Sequence, residues 1–504
     1  MIKIIHKIAL ISIMGCLLFS CRDDFHFEPS SGTELAFSKD TVYLDTIFSN
    51  IGSSTYNLRV YNKSNKDIKI PTIRLADGEN SNFRLMVDGM AGKSFENVEI
   101  LANDSMFIFV ETTVDIKQQT QDKEFLYTDK ILFQSGSNQQ NVNLVTLVRD
   151  AVFLYPQRFQ DGTYEYLNIN EEKVYGFFLD ENDPINGNEL QWNNDKPYVI
   201  YGYAAVSPNK KLEISEGTEV HFHRGSALLA FPNAEINAEG TVLNPVVFQG
   251  SRLEPGFEDT EGQWDMMLFA DGSKGTLKNM LIKNAVIGLN IQSQDVALEN
   301  LQIYNCSNYG IIGINAKITG KNIVTNNMGR AALALSKGGT YDFTHCTFAN
   351  YWNRQNHTAV IIDNDNGSNE FALQAHFKNS IIYGNSNESL LLIPGNETTN
   401  FDVKMEHCLI KFFNTGNRFP SGFPYDFENI TYFNNCLIAK NNTNYRPYFF
   451  HPQKNQMMIT EQAESLIGFG NAIDAQEVPL DITGKNRLSS PDLGAYQHID
   501  SPED

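Results

Sequence analysis

Apolar and polar positions alternate along most of this 504-residue chain with the two-residue period of a β-strand. Thr55-Tyr56-Asn57-Leu58-Arg59-Val60-Tyr61 reads as a half-buried strand, and Asp67-Ile68-Lys69-Ile70 and Ile73-Arg74-Leu75 do likewise. Met106-Phe107-Ile108-Phe109-Val110 is apolar throughout, and Val142-Asn143-Leu144 closes the set. Turn formers lie between the strands: Asn62-Lys63-Ser64-Asn65, Asp77-Gly78, Asp88-Gly89 and Asn103-Asp104. Residues 34–150 therefore predict a small β-sandwich of about seven strands. Residues 151–196 are less periodic and rich in Asn, Asp and Glu, and read as a connector that caps the repeats beyond it.

From residue 197 onward the pattern repeats. An apolar residue, a spacer, an Asn or His, two further residues and a closing Ile or Phe recur down the chain. Examples are Leu277-Lys278-Asn279-Met280-Leu281-Ile282, Leu298-Glu299-Asn300-Leu301-Gln302-Ile303 and Phe343-Thr344-His345-Cys346-Thr347-Phe348. Phe377 to Ile382, Met405 to Ile410 and Phe433 to Ile438 continue the series, with a degenerate copy ending at Ile323. The closing positions advance by 21, 20, 25, 34, 28 and 28 residues, the length of one coil of a β-solenoid with loops thrown outward. A single coil cannot bury its own apolar face, so coils stack about 4.8 Å apart and share one core. Like residues then fall on like. His345, Asn379, His407 and Asn435 form one column, and Cys346, Ser380, Cys408 and Cys436 the next, with Lys321 breaking the latter. Both columns read as structural, through stacked amides and small buried groups.

The chain starts differently. Lys3 and Lys7 precede an apolar run from Ile8 to Phe19, about 12 residues long, which is short of the roughly 20 that a spanning helix requires. This is the pattern of a signal peptide over residues 1–20. Leu18-Phe19-Ser20-Cys21 resembles a bacterial lipoprotein signal, which implies lipidation at Cys21; Phe19 departs from the usual residue at its position. Several acyl chains on one residue anchor stably where one is marginal. Arg22-Asp23-Asp24 resembles an export tag to the outer face of the outer membrane, and residues 21–33 form a tether. The resemblance implies an outer-membrane, lipid-anchored, extracellular address.

Two further resemblances bear on fold. Ile51-Gly52-Ser53-Ser54-Thr55 through Ser81-Asn82-Phe83 resembles bacterial members of a family of cilium- and spindle-associated immunoglobulin-like modules, which are generally spacers or protein-binding units. Lys211 to Val220, Ala238-Glu239-Gly240-Thr241 with Pro245-Val246-Val247-Phe248, and Gly262-Gln263-Trp264 resemble the opening coils of right-handed parallel β-helix proteins. Ser465-Leu466-Ile467-Gly468, Pro479 to Gly484 and Pro491 to Tyr496 resemble their closing segment. Together these imply an all-β chain: an immunoglobulin-like sandwich, a parallel β-helix over 197–498, and a tail of 499–504. That β-helix family includes polysaccharide lyases, glycoside hydrolases, adhesins and inert surface proteins, so it does not imply an activity.

Charge narrows the partners. Sixty acids against 39 Lys and Arg leave a formal charge of −21, which argues against nucleic acid. A hydrolase of this fold would carry paired carboxylates, and a lyase would carry Ca²⁺-binding carboxylates with a Lys or Arg base. No Asp pair lies on a repeat strand, and Arg446-Pro447 lacks a second Arg. Asp363 and Asp365 could together ligate Ca²⁺, although Gly367 stands where a third ligand is wanted; no other cofactor is implied. His221 and His223 face one side of a strand without a third ligand nearby. Tyr351, Trp352 and Arg354 form the candidate surface for stacking on a sugar. The expectation is a non-catalytic lipoprotein that binds an extracellular glycan or an outer-membrane protein complex through one flat face or the loops after Phe348 and Ile382. The alternative is a polysaccharide lyase or glycoside hydrolase whose site is assembled from distant coils. A Cys21→Ala chain is expected to leave the membrane fraction on sedimentation of cell lysates; continued co-sedimentation would exclude the lipid anchor.

Overall fold

The computed structural model describes residues 27–29, 34–135, 138–169, 171–293, 295–364, 371–395, 400–441 and 443–500. The signal segment, Cys21, most of the tether and Asp365 lie outside these residues. The chain divides into two compact units, Met1–Asp150 and Ala151–Asp504.

The first unit is built from two sheets. One orders Glu28–Pro29, Ile68–Leu75, Glu124–Ser135, Asn138–Arg149 and Thr41–Phe48, with Ser94–Ile100 paired to Ile68–Leu75. The other orders Ala36–Phe37, Tyr56–Tyr61, Ser105–Thr112, Phe83–Val87 and Met90–Gly92. Alternate residues of both, such as Val42, Leu44, Ile131 and Phe133 from the first and Leu58, Val60, Leu85 and Ile108 from the second, meet in one buried cluster. The alternation seen in the sequence is thus the inside and outside of a two-sheet sandwich.

The second unit stacks strands in three parallel columns. The first column includes Tyr198–Ile200, Glu219–Phe222, Val246–Gly250, Thr347–Asn350, Ile381–Gly384 and Leu409–Lys411. The second runs through Tyr203–Val206, Ala227–Ala230, Trp264–Phe269, Ala285–Ile291, residues 309–314, residues 331–336, Thr358–Asp363 and Leu390–Ile393. The third includes Lys211–Ser215, Glu235–Glu239, Leu373–Lys378 and Phe401–Glu406. Inward residues of all three form one continuous core, including Ile303, Phe343, Phe377 and Ile410. Residues 151–196 are not a separate connector. Val152–Leu154, residues 176–178 and Gln191–Trp192 pair in parallel with the three columns and make the first coil. Their strands are short and interrupted by loops, which hides the periodicity.

The corner between the third and first columns explains the Asn/His repeat. Asn279, Asn300, Asn322, His345, Asn379, His407 and Asn435 all have positive φ, between 48° and 55°. This left-handed bend penalises most side chains, and Asn and His tolerate it better than most residues without glycine's flexibility. Their side chains also bond from coil to coil. Asn300 Nδ2 donates to Asn279 Oδ1 at 2.9 Å, Asn322 Nδ2 to Asn300 Oδ1 at 2.8 Å, and Asn379 Nδ2 to His345 Nε2 at 3.0 Å. The copy at Asn322 closes at Thr325, which pairs with Ile303, and not at Ile323. Ile323 therefore takes the place next to the ladder that Cys346, Ser380 and Cys408 hold, and Lys321 breaks no column.

The C-terminal segment docks on this corner and on the outer face of the first column. Phe449, Ile459, Leu466, Leu493 and Tyr496 pack over Tyr304, Val324, Ile381, Tyr383 and Leu409. Arg487 is fully buried; Nη2 donates to Asn322 Oδ1 at 2.8 Å and Nη1 to the Gly494 carbonyl at 3.1 Å. Asn471 N donates to Asn379 Oδ1 at 2.7 Å. At its start the second column is covered by Leu167 and Ile169 of the hairpin Tyr166–Ile169/Glu172–Phe178, which lie on Ala205, Ala227 and Leu229.

His345 joins these contacts as a neutral ring: Nδ1–H donates to the Gly494 carbonyl at 3.3 Å while Nε2 accepts from Asn379. Burial, then the nearby Arg487 guanidinium, hold its pKa well below the ordinary value. An unfolded His titrates near 6.5, so below about pH 6.5 the unfolded chain binds a proton that the folded one refuses. Stability is therefore complete above that pH and falls as pH drops. His345→Asn keeps a ladder residue and removes the titration, so the loss of melting temperature between about pH 7.5 and 5 should shrink; an unchanged loss would contradict the assignment.

Candidate functional site

Past the hairpin, the outer face of the second column lies open. Ile312, Ala334, Ile361 and Leu391 stack there in register through successive parallel pairs. They belong to the lining of a groove of about 690 Å³, with Tyr309 and Phe419 among its walls. Their neighbours along each strand, Ile311, Leu333, Val360 and Leu390, point into the core. The alternation that builds the core thus also leaves a half-buried apolar stripe along the groove, with Ala334 itself buried.

One end of this groove carries charge from several coils. Arg330, His357, Glu388 and Arg418 all line it. Arg330 precedes Ala331, His357 precedes Thr358, and Ala331 pairs with Thr358, so Arg330 and His357 occupy equivalent places on adjacent coils. Thr358 Oγ1 donates to the Glu388 carbonyl at 2.8 Å, which ties the next coil to them. Glu388 is 7% exposed. Its Oε2 accepts from Arg418 Nη2 at 2.9 Å, while Oε1 is buried with no hydrogen-bond partner. A buried carboxylate oxygen left unpaired costs free energy. Behind it Lys411 is buried, with Nζ donating to the Gly384 carbonyl at 2.7 Å; burial lowers its pKa to about 8, offset in part by Glu388. Burial also lowers the His357 pKa, the Arg354 backbone opposes this, and the Lys411 charge adds to it. His357 is consequently neutral at pH 7 and able to accept a proton.

The other end of the groove holds Asp363. Val360 pairs with Leu390, so Glu388 is level with Thr358 and Asp363 stands five residues further along the strand. At about 3.3 Å per residue that offset is roughly 16 Å, too long for the carboxylate pair of either glycosidase geometry. Among the described residues no group of three His, Cys, Asp or Glu could hold a metal ion.

The loops after Phe348 and Ile382 do reach the groove, but with other residues than the sequence suggests. Trp352 is 6% exposed, and Tyr351 packs edge-on to Phe449 at 6.0 Å. Neither offers a ring face to a sugar, because burying these large rings against the solenoid outweighs exposing them. Arg354 is exposed, paired to Glu261 at 3.1 Å and 5.2 Å from the Trp352 ring centre. His221 is buried with Nδ1 3.2 Å from the Gly250 carbonyl, and His223 stacks on Tyr201 at 4.5 Å. Glu388, His357, Arg330 and Arg418 obey no spacing rule, since each comes from a different turn; only the coil register brings them together.

No family model matches this chain, and no curated protein does. Among solved structures it is similar to the catalytic domain of a GH87 α-1,3-glucanase in complex with tetrasaccharides, with a TM-score of 0.20 and 13% identity over 70% of this chain and 81% of that one. A nigerose complex of that domain gives 0.22 and 12% over 71% and 82%. A family 123 glycoside hydrolase from Clostridium perfringens gives 0.17 and 7% over 25% of this chain and 30% of that chain. Likeness at these scores carries no argument about activity.

Proposed function

We propose that the second unit is a carbohydrate-active enzyme, a lyase or hydrolase, that holds a glycan chain along the open part of the second column. The observation that carries this reading is Glu388: nearly buried in a groove, one oxygen fixed by Arg418, the other unpaired. An apolar floor flanked by Tyr309 and Phe419, with polar groups gathered at one end, suits the mixed faces of a sugar chain. Glu388 and His357 act as a pair: neutral His357 accepts the proton, and the Glu388 carboxylate, held charged by Arg418, stabilises the positive charge that then develops. This reading is preferred to the non-catalytic one because Glu388 gathers with His357, Arg330 and Arg418 across coils, a single carboxylate where a pair was expected.

The setting belongs to the same proposal. The solenoid is a right-handed parallel β-helix, the first unit is an immunoglobulin-like spacer, and lipidation at Cys21 anchors the chain to the outer membrane facing outward. The partners are then that membrane and extracellular glycans.

Glu388→Gln keeps the shape and removes the charge. Release of reducing ends from a panel of acidic and neutral polysaccharides should fall at least about 100-fold, as expected for the loss of a fixed charge that stabilises the transition state. The wild-type rate should decline as pH falls through the His357 pKa, which burial places below that of an ordinary histidine, and hold steady above it. Full activity in the variant, or no turnover of any polysaccharide by the wild type, would overturn the proposal.

A further inference from the structure

We infer that the glycan carries an anionic substituent, a carboxylate or a sulfate ester, and that Arg330 receives it. The inference rests on the proposed function and names its substrate class. Local charge balance is the basis. Three cations, Arg330, Arg418 and Lys411, gather at the end of the groove that holds one carboxylate, Glu388. Arg418 is engaged by Glu388 at 2.9 Å, and Lys411 Nζ by the Gly384 carbonyl. Arg330 has no carboxylate partner among the described residues. It is exposed at the groove edge, its guanidinium 5.6 Å from the Tyr309 ring centre. A guanidinium standing over an aromatic face keeps its planar fork available for bidentate contact with a carboxylate or sulfate.

Position adds to charge. The Thr358 amide donates to the Arg330 carbonyl at 2.9 Å, so Arg330 lies one coil from His357 and two from Glu388. An anionic group held there belongs to the sugar unit at the Glu388 and His357 pair or to its neighbour. Asp363 does not oppose it, being level with Ser336, six residues along the strand from Arg330. The whole-chain charge of −21 would repel an anion at long range, so selectivity for one has to come from a local contact of this kind.

The test is equilibrium binding by full-length protein to three probes: polygalacturonate, its fully methyl-esterified form, and a sulfated galactan. Wild type should bind polygalacturonate or the sulfated galactan, and which of them is bound identifies the substituent. Arg330→Gln should weaken that binding about tenfold, as for the loss of one charge-assisted hydrogen bond, and Arg330→Lys should restore part of it. The methyl ester should bind no better to wild type than the acid does to Arg330→Gln. Equal binding of ester and acid, unchanged in Arg330→Gln, would overturn the inference while leaving a glycan-binding groove in place. Failure of all three probes, together with no turnover of neutral polysaccharides, would remove both the inference and the proposed function.

Discussion

The structure of the second unit depends on repeated left-handed corners. Each coil must turn sharply between its third and first strands, and the next coil must turn at the same place for parallel pairing to continue. A left-handed residue costs about 1–2 kcal/mol for most side chains. Asn reduces that cost and supplies an amide that can bond to the corner above and the corner below. The ladder from Asn279 through Asn300 to Asn322 does this with contacts of 2.8–2.9 Å. Where it passes to His345, the fully buried Arg487 takes the free Asn322 oxygen. The corner column is therefore also where the C-terminal segment is fastened.

That fastening decides where chemistry can occur. The outer face of the first column is covered by the segment containing Phe449, Leu466 and Tyr496. The first coils of the second column are covered by the hairpin containing Leu167 and Ile169. The later coils of the second column keep a half-buried apolar stripe along the groove, and the loops that interrupt them bring in Arg330, His357, Glu388 and Arg418. Insertions between strands are tolerated because they leave the stacked register intact, and in this solenoid they are where the candidate functional groups sit.

The solenoid is legible in the sequence because stacking repeats one residue type at one corner. Asn279, Asn300, His345, Asn379, His407 and Asn435 stand out even where coil length varies. The copy at Asn322 reads two residues short because Gly320 replaces its opening apolar residue. The first coil escapes a sequence reading because loops between residues 151 and 196 break its strands into pieces as short as Gln191–Trp192. The site is largely illegible. Glu388 and His357 lie 31 residues apart, and their relation comes from the pairing of Val360 with Leu390. Trp352 looks like a surface aromatic because sequence shows a ring in a loop and not what the ring packs against.

The most direct test of this account is amide hydrogen exchange of the intact protein with and without a pooled set of acidic and neutral oligosaccharides. The account predicts slowed exchange confined to residues 309–314, 330–336, 356–363 and 386–393. Protection centred on the segment covering the first column, or on the sandwich, would contradict it.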